Sequence, residues 1–215
     1  IYDHQTKTIF FSRDRFGIKP LYYWFSPTGD FCFASEIKQF TVLSNWKAIL
    51  NERMAYDFLY YSTTDHCEET LFKGVYHIPP GNECCLSIHE LTAQAKNKKL
   101  KTVQWYNPVI KPFKGSFEEA KAQFLSLFEQ SVQLHLRADV PVGSALSGGL
   151  DSSSIVSYIN LLLQKDGKTE LQKTFSSCSE DKKYDEREWI DEVVKATKVD
   201  GHFVYPQGKD IFTKT

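Results

Sequence analysis

Seven consecutive residues carry most of the chemistry in this sequence: Ser147-Gly148-Gly149-Leu150-Asp151-Ser152-Ser153, between an apolar run ending at Leu146 and another starting at Ile155. Gly148 and Gly149 have no Cβ, so the backbone there can take unusual dihedrals and come close to a ligand. The N–H groups that follow open a helix; its first donors have no partner within the helix, and its dipole attracts an anion. Ser147, Ser152 and Ser153 add hydroxyls. Asp151 is the odd member: a carboxylate beside a phosphate repels it unless a cation lies between them, which points to Mg²⁺. Together these residues describe a site for a magnesium-bound polyphosphate, with Asp151 as metal ligand. The competing reading is a plain glycine turn with Asp151 as a helix N-cap. Each residue alone fits that turn, whereas all seven together favour the phosphate site. Two commoner phosphate loops are excluded. Gly143 to Gly148 has the spacing G-x-x-x-x-G, but Gly149 stands where a P-loop needs its lysine, and no G-x-G-x-x-G occurs.

The elements that must hold this segment have an alternating α/β pattern. Val140 to Leu146 predicts a buried strand, followed by a helix that runs from the glycine turn to about Leu163. Leu171 to Cys178 is a second strand, Asp185 to Thr197 a helix, and His202 to Tyr205 a third strand. Before them, Ser116 and Glu119 form a capping box for a helix striped by Phe117, Ala120, Phe124, Leu127 and Val132. Repeated strand–helix–strand spacing implies right-handed crossovers and a parallel sheet.

The first half has a different texture. Residues 8–12, 21–25 and 31–34 are rich in Phe, Tyr and Ile and separated by turn formers, the pattern of an antiparallel meander. Ser35 and Glu36 open a short helix with Ile37, Phe40 and Leu43, and a second covers Asn51 to Tyr61 with Met54, Phe58 and Tyr61 on one face. Pro79-Pro80-Gly81 marks a turn before a strand from Glu83 to Ile88. Thr92 to Lys101 is polar and Lys-rich, an exposed loop, and Gln104 to Tyr106 is a last short strand. Pro108, Pro112 and Gly115 mark 108–115 as a linker. The expected organisation is therefore an α+β domain over 1–107 followed by an α/β domain over 116–215.

Composition narrows the classes. Lys and Arg number 26 against 27 Asp and Glu, for a net charge of −1, which removes the electrostatic case for a nucleic-acid or membrane partner. No apolar run reaches the roughly 18 residues of a spanning helix. The five cysteines include no C-x-x-C pair, and His66-Cys67 is too little for a metal site, so reduced thiols in a cytoplasmic protein are expected. The chain opens at Ile1 directly before a strand pattern and ends at Thr215 without a stop, so it is read as a fragment.

The segments Arg13-Asp14-Arg15-Phe16-Gly17-Ile18-Lys19-Pro20-Leu21-Tyr22-Tyr23, Phe33-Ala34-Ser35-Glu36-Ile37-Lys38, Pro79-Pro80-Gly81 and Asp139-Val140-Pro141-Val142-Gly143, leading into Ser147–Ser153, resemble glutamine-hydrolysing asparagine synthetase. The resemblance runs in order over essentially the whole chain. It implies part of a glutaminase domain of the N-terminal-nucleophile fold, with sandwich-type sheets, joined to part of an ATP-pyrophosphatase-type parallel α/β domain. The first would release ammonia from glutamine. The second would activate aspartate as β-aspartyl-AMP, with pyrophosphate leaving, for the ammonia to attack. ATP and Mg²⁺ are the implied cofactors, and a homodimer is left open.

Carried over residue by residue, Ser147, Gly148, Gly149, Leu150, Asp151 and Ser152 match the family's pyrophosphate loop, with Asp151 a magnesium ligand. Ala145 and Leu146 match the strand end whose backbone meets the adenine, and Ser177 a second nucleotide contact. The family often has a larger apolar residue at Ala145 and Ser177. Asp185 and Glu186 match an acidic pair, for which helix N-terminal charge is as good a reading as catalysis. The family's nucleophile is an N-terminal cysteine, and none of the five cysteines stands there, so no catalytic residue is assigned. The Arg13 to Leu21 loop is read as shaping the glutaminase core. With the acceptor pocket expected beyond Thr215, three readings stay open. They are asparagine synthesis, a relative that amidates another carboxylate or closes a β-lactam ring, and a nucleotide-binding module without catalysis.

Overall fold

Alternation of apolar side chains along short strands builds the first half. Its elements are β1 (Tyr2–Asp3), β2 (Thr8–Ser12), β3 (Tyr22–Phe25), β4 (Phe31–Ala34), α1 (Glu52–Tyr61), β5 (Val75–His77), β6 (Asn82–Ser87), α2 (Ile88–Gln94) and β7 (Val103–Gln104). The computed structural model describes residues 1–165, 167 and 172–207. It divides into two units, Ile1–Lys111 and Pro112–Thr215. In the first, one antiparallel sheet has the order β1-β2-β6-β7 and another the order β4-β3-β5. The period of two along β3 sends Tyr23 and Phe25 into a core with Phe11, Cys84 and Leu86 of the other sheet. Trp24 points the opposite way, into a second core with Ala34, Phe40 and Val75. The two sheets thus share a core face to face, and β4-β3-β5 is covered on both sides.

Three expectations need correction here. Thr92 to Lys101 is not simply an exposed loop: its first residues finish α2, which starts with a Ser87–Glu90 capping box. Leu91 and Leu100 are both buried in the core shared by the sheets, and the Leu100 N–H donates to the Tyr23 hydroxyl at 3.2 Å. Two buried leucines pin a stretch whose polar residues face water. On α1, only Met54 of the expected apolar face is buried, while Phe58 and Tyr61 are exposed. β5 was not expected: three residues are too few to show a period, and its place comes from pairing with β3.

The second unit contains α3 (Phe117–His135), β8 (Gly143–Ala145), α4 (Leu150–Lys165), β9 (Lys173–Ser177), α5 (Arg187–Thr197) and β10 (Asp200–Val204). The strands pair in parallel in the order β10-β9-β8. The connecting helices α4 and α5 meet in one core, where Val156 and Ile190 pack with Leu146, Cys178 and Val199. The capping box of Ser116 and Glu119 opens α3, and Val132 packs on Ile159 and Leu162 of α4. Phe117, Phe124 and Leu127 of the expected stripe are exposed. The strand read from Val140 begins only at Gly143, with Val140 and Val142 exposed; Pro141 between them has no N–H for a ladder. Leu171, the expected start of the next strand, lies outside the described residues.

Candidate phosphate-binding site

The segment from Ser147 hangs from the carboxyl end of β8. The Leu146 N–H donates to the Phe175 carbonyl at 2.9 Å, which continues the ladder one step past the strand. The chain then turns at Gly148, whose φ is +85°. A Cβ there would lie 3.0 Å from the Glu186 carbonyl oxygen and 3.2 Å from the Cβ of Trp189. Gly148 therefore serves both the turn and its packing against the start of α5. Gly149 does the other task assigned to the pair: a Cβ on it would meet only the Ser147 hydroxyl, at 3.5 Å, so its side of the loop is open.

The hydroxyls close a small ring over this opening. Ser152 Oγ donates to the Gly149 carbonyl at 3.2 Å and accepts the Ser147 N–H at 3.2 Å. With its one proton used there, Ser152 Oγ accepts from the Ser147 hydroxyl at 3.0 Å. The first helical bond runs from the Ser153 N–H to the Gly149 carbonyl at 3.0 Å. Among the described residues no acceptor meets the N–H groups of Leu150, Asp151 and Ser152. Asp151 is the second residue of α4 rather than its N-cap, which removes the plain-turn role for its carboxylate. Its side chain is exposed and has no hydrogen bond or ion pair among the described residues. The arrangement is three orphan donors at the positive end of a helix, a free carboxylate within that turn, and an open glycine beside them.

Asp185 is differently placed. Its carboxylate forms a forked ion pair with Arg187, at 2.7 to 2.9 Å, and that partner holds it below the usual carboxylate range. Arg187 in turn lies over the Tyr205 ring, 5.6 Å from its centroid. Glu186 is the N-cap position of α5, its side chain making no cap bond. Ala145 pairs with Phe175 in register and Ser177 with Val204, and both are exposed at the carboxyl ends of adjacent strands. That edge is where open α/β sheets take their ligands. Sequence reasoning missed Ser176, whose buried hydroxyl donates to the Leu146 carbonyl at 2.7 Å. A small polar residue inside a strand was the available signal. Among the described residues no cluster of His, Cys, Asp and Glu is arranged to hold a metal by itself. All five cysteines are free.

Residues 1–99 match the family model described as glutamine amidotransferase domain, and residues 123–214 match that described as asparagine synthase. Along nearly its whole length the chain is similar to glutamine-hydrolysing asparagine synthetases. It is 28% identical to glutamine-hydrolysing asparagine synthetase 3 of Bacillus subtilis, over 98% of this chain and 34% of the relative. It is 31% identical to a protein of Methanocaldococcus jannaschii named as a candidate glutamine-hydrolysing asparagine synthetase 2, over 98% of this chain and 38% of that protein. A Penicillium rubens protein named amidase chyE is 29% identical over 77% of this chain and 23% of its own length. The chain thus spans about a third of the length of the first two relatives.

Within residues 1–99, which match the amidotransferase model, the Arg13 to Leu21 loop is held by the Arg13 guanidinium. It donates to the carbonyls of Lys19, Ile78 and Gly17, and to His77 Nδ1 at 2.6 Å. A guanidinium only donates, so His77 Nδ1 accepts, and its proton sits on Nε2, facing the Cys67 carbonyl at 2.6 Å. Asp14 accepts the N–H groups of Phe16, Ile18 and Lys19. Each of these Arg13 and Asp14 bonds ties one stretch of loop to another. No helix among the described residues is long and apolar enough to cross a membrane.

Proposed function

We propose that Ser147–Ser153 holds the phosphates of magnesium-bound ATP. On this reading the whole protein makes asparagine from aspartate with ammonia taken from glutamine. The observation that carries the reading is the first turn of α4, where among the described residues the N–H groups of Leu150, Asp151 and Ser152 are unpaired and the Asp151 carboxylate beside them has no partner. A helix start capped by its own Asp would offer an anion little; this one offers donors and dipole together. Asp151 fits a magnesium ligand better than Asp185, whose charge is already met by Arg187. When bound, Mg²⁺ would neutralise phosphate charge next to Asp151.

The chain's own residues then bind and orient. The first-turn N–H groups receive phosphate oxygens, and Gly149 leaves them room. Ser147 and Ser152, bonded to each other without ligand, turn their hydroxyls outward. Backbone groups at Ala145 and Ser177 meet the adenine, while Leu146, buried and bonded to Phe175 and Ser176, holds the strand end beneath it. In the reaction, an aspartate carboxylate oxygen attacks the α-phosphorus and pyrophosphate leaves, giving β-aspartyl-AMP. Ammonia then attacks the acyl carbon, AMP leaves and a proton is lost. Donors fixed before the reaction stabilise the charge that grows on the leaving pyrophosphate.

The first unit is proposed as part of an N-terminal-nucleophile glutaminase and the second as part of an ATP-pyrophosphatase domain, bounded at 1–107 and 116–215 around the 108–115 linker, in a cytoplasmic protein. Similarity to amidase chyE favours a second reading, in which another carboxylate takes the place of aspartate. The test uses the complete gene product. Asp151→Asn should cut aspartate-dependent pyrophosphate release by roughly 10²-fold or more and leave glutamine hydrolysis intact. Undiminished pyrophosphate release in that variant overturns the phosphate reading. Release driven by other carboxylates but not aspartate selects the second.

A further inference from the structure

Two hydroxyls are buried on the same face of β9, two residues apart: Thr174 at 0% exposure and Ser176 at 3%. They differ in what they reach. Among the described residues Thr174 Oγ1 has no hydrogen-bond partner, whereas Ser176 Oγ donates to the Leu146 carbonyl at 2.7 Å. That carbonyl belongs to the peptide that enters the phosphate segment. The other end of the same peptide, the Ser147 N–H, donates to Ser152 Oγ on α4 at 3.2 Å. One peptide plane is therefore gripped at both ends by hydroxyls from two different elements. The grips are not equivalent. Ser152 shares the open side of the loop with Ser147 and Gly149, where an incoming phosphate competes for its hydroxyl. Ser176 lies beneath the loop, out of reach of any ligand, and its bond persists when the upper one is exchanged.

We propose that Ser176 is a positioning residue for the nucleotide: it fixes the Leu146–Ser147 peptide and with it the direction in which Ser147, Gly148 and Gly149 leave the sheet. The inference rests on the phosphate reading for its effect on ATP, but not for its effect on the loop itself. Strand geometry alone does not fix this peptide. The ladder between β8 and β9 ends with the Leu146 N–H, and Gly148 then turns the chain toward α5. The carbonyl sits at the point where sheet pairing stops and helix bonding has not begun, so a side chain must satisfy it.

The test compares Ser176→Ala, Ser176→Thr, which keeps a hydroxyl, and Thr174→Val, which removes the neighbouring hydroxyl that has no partner. Amide exchange at Ser147–Asp151 in nucleotide-free protein reads the loop, and calorimetric titration with magnesium-ATP reads affinity. Ser176→Ala should speed loop exchange and weaken ATP about tenfold. Ser176→Thr should restore both, and Thr174→Val should leave both within about twofold. Should Ser176→Ala not fold, Ser176→Cys, of similar volume and with a weaker donor, takes its place with the same expectations. Unchanged loop exchange in the variant that loses the hydroxyl overturns the proposal, as does equal damage from Thr174→Val, which would mean a general packing effect. If the wild type binds no nucleotide the phosphate reading falls, and the exchange rates alone decide whether Ser176 is the clamp.

Discussion

The two glycines of the loop should fail in different ways. At Gly148 the φ of +85° costs a residue with a side chain about 1–2 kcal/mol. An added methyl would also sit 3.0 Å from the Glu186 carbonyl oxygen and 3.2 Å from the Trp189 Cβ. Neither is the end of a flexible side chain, so backbone must shift, at about 1–3 kcal/mol. Gly148→Ala should thus destabilise the second unit by about 2–5 kcal/mol, a large share of the stability of an ordinary domain. At Gly149 no positive φ is required, and the methyl meets only the Ser147 hydroxyl, at 3.5 Å. Gly149→Ala should stay within about 1 kcal/mol of wild type, yet fill the opening and weaken magnesium-ATP by about tenfold or more. Native-state amide exchange of α4 and β9 peptides reads the second unit directly and is the stability assay, paired with calorimetry for affinity. Equal destabilisation by both substitutions refutes the reasoning. So does a stable Gly148→Ala variant or full ATP affinity in Gly149→Ala.

Three further outcomes follow from single residues. Cys84 is buried and its thiol is pushed up to about 11, by burial first and then by Cys85 and Glu90, whereas the adjacent Cys85 is exposed; alkylation at pH 8 followed by peptide mass spectrometry should label Cys85 and spare Cys84 in the folded protein. Asp14 is held below the usual carboxylate range, by the Lys19 N–H first and then those of Ile18 and Phe16. Its contribution is present above the unfolded-state value of about 3.9 and lost as pH falls through the lower folded value, so denaturation curves of wild type and Asp14→Asn should converge in acid and separate toward neutral pH. Ser177→Val should keep ATP affinity within about tenfold if the contact is through backbone; a greater loss in calorimetry would make the hydroxyl a direct ligand.

How far the sequence reveals this molecule depends on how local each determinant is. The Ser147–Ser153 turn is legible because strand end, glycines, acid and helix start stand side by side, and the structure keeps all of them in one loop. What the letters do not show is that Gly148 faces α5, since Glu186 and Trp189 come from a distant stretch. The same distance hides the Arg13–His77 contact, 64 residues apart, and the Ser176–Leu146 bond, 30 apart. Thr92 to Lys101 misleads because Leu100 stands among lysines, and its burial comes from a core built by distant residues such as Tyr23 and Leu86. Val140 misleads the other way: β-branching suggests a strand that Pro141 cannot pair. Of the apolar faces expected on α1 and α3, Met54 and Val132 are buried while Phe58, Tyr61, Phe117, Phe124 and Leu127 are exposed, because periodicity marks a face without saying what covers it.

The central claim is that Asp151 and the first turn of α4 form a magnesium-dependent nucleotide site. It is tested most directly by titrating ATP into wild type and Asp151→Asn, each with and without Mg²⁺, in a calorimeter. The account predicts that wild type binds ATP more tightly with Mg²⁺. Asp151→Asn should lose that dependence and bind magnesium-ATP about tenfold more weakly or worse, a difference of at least about 1.4 kcal/mol. Equal affinity and equal magnesium dependence in the two proteins, or no ATP binding by the wild type, would contradict it.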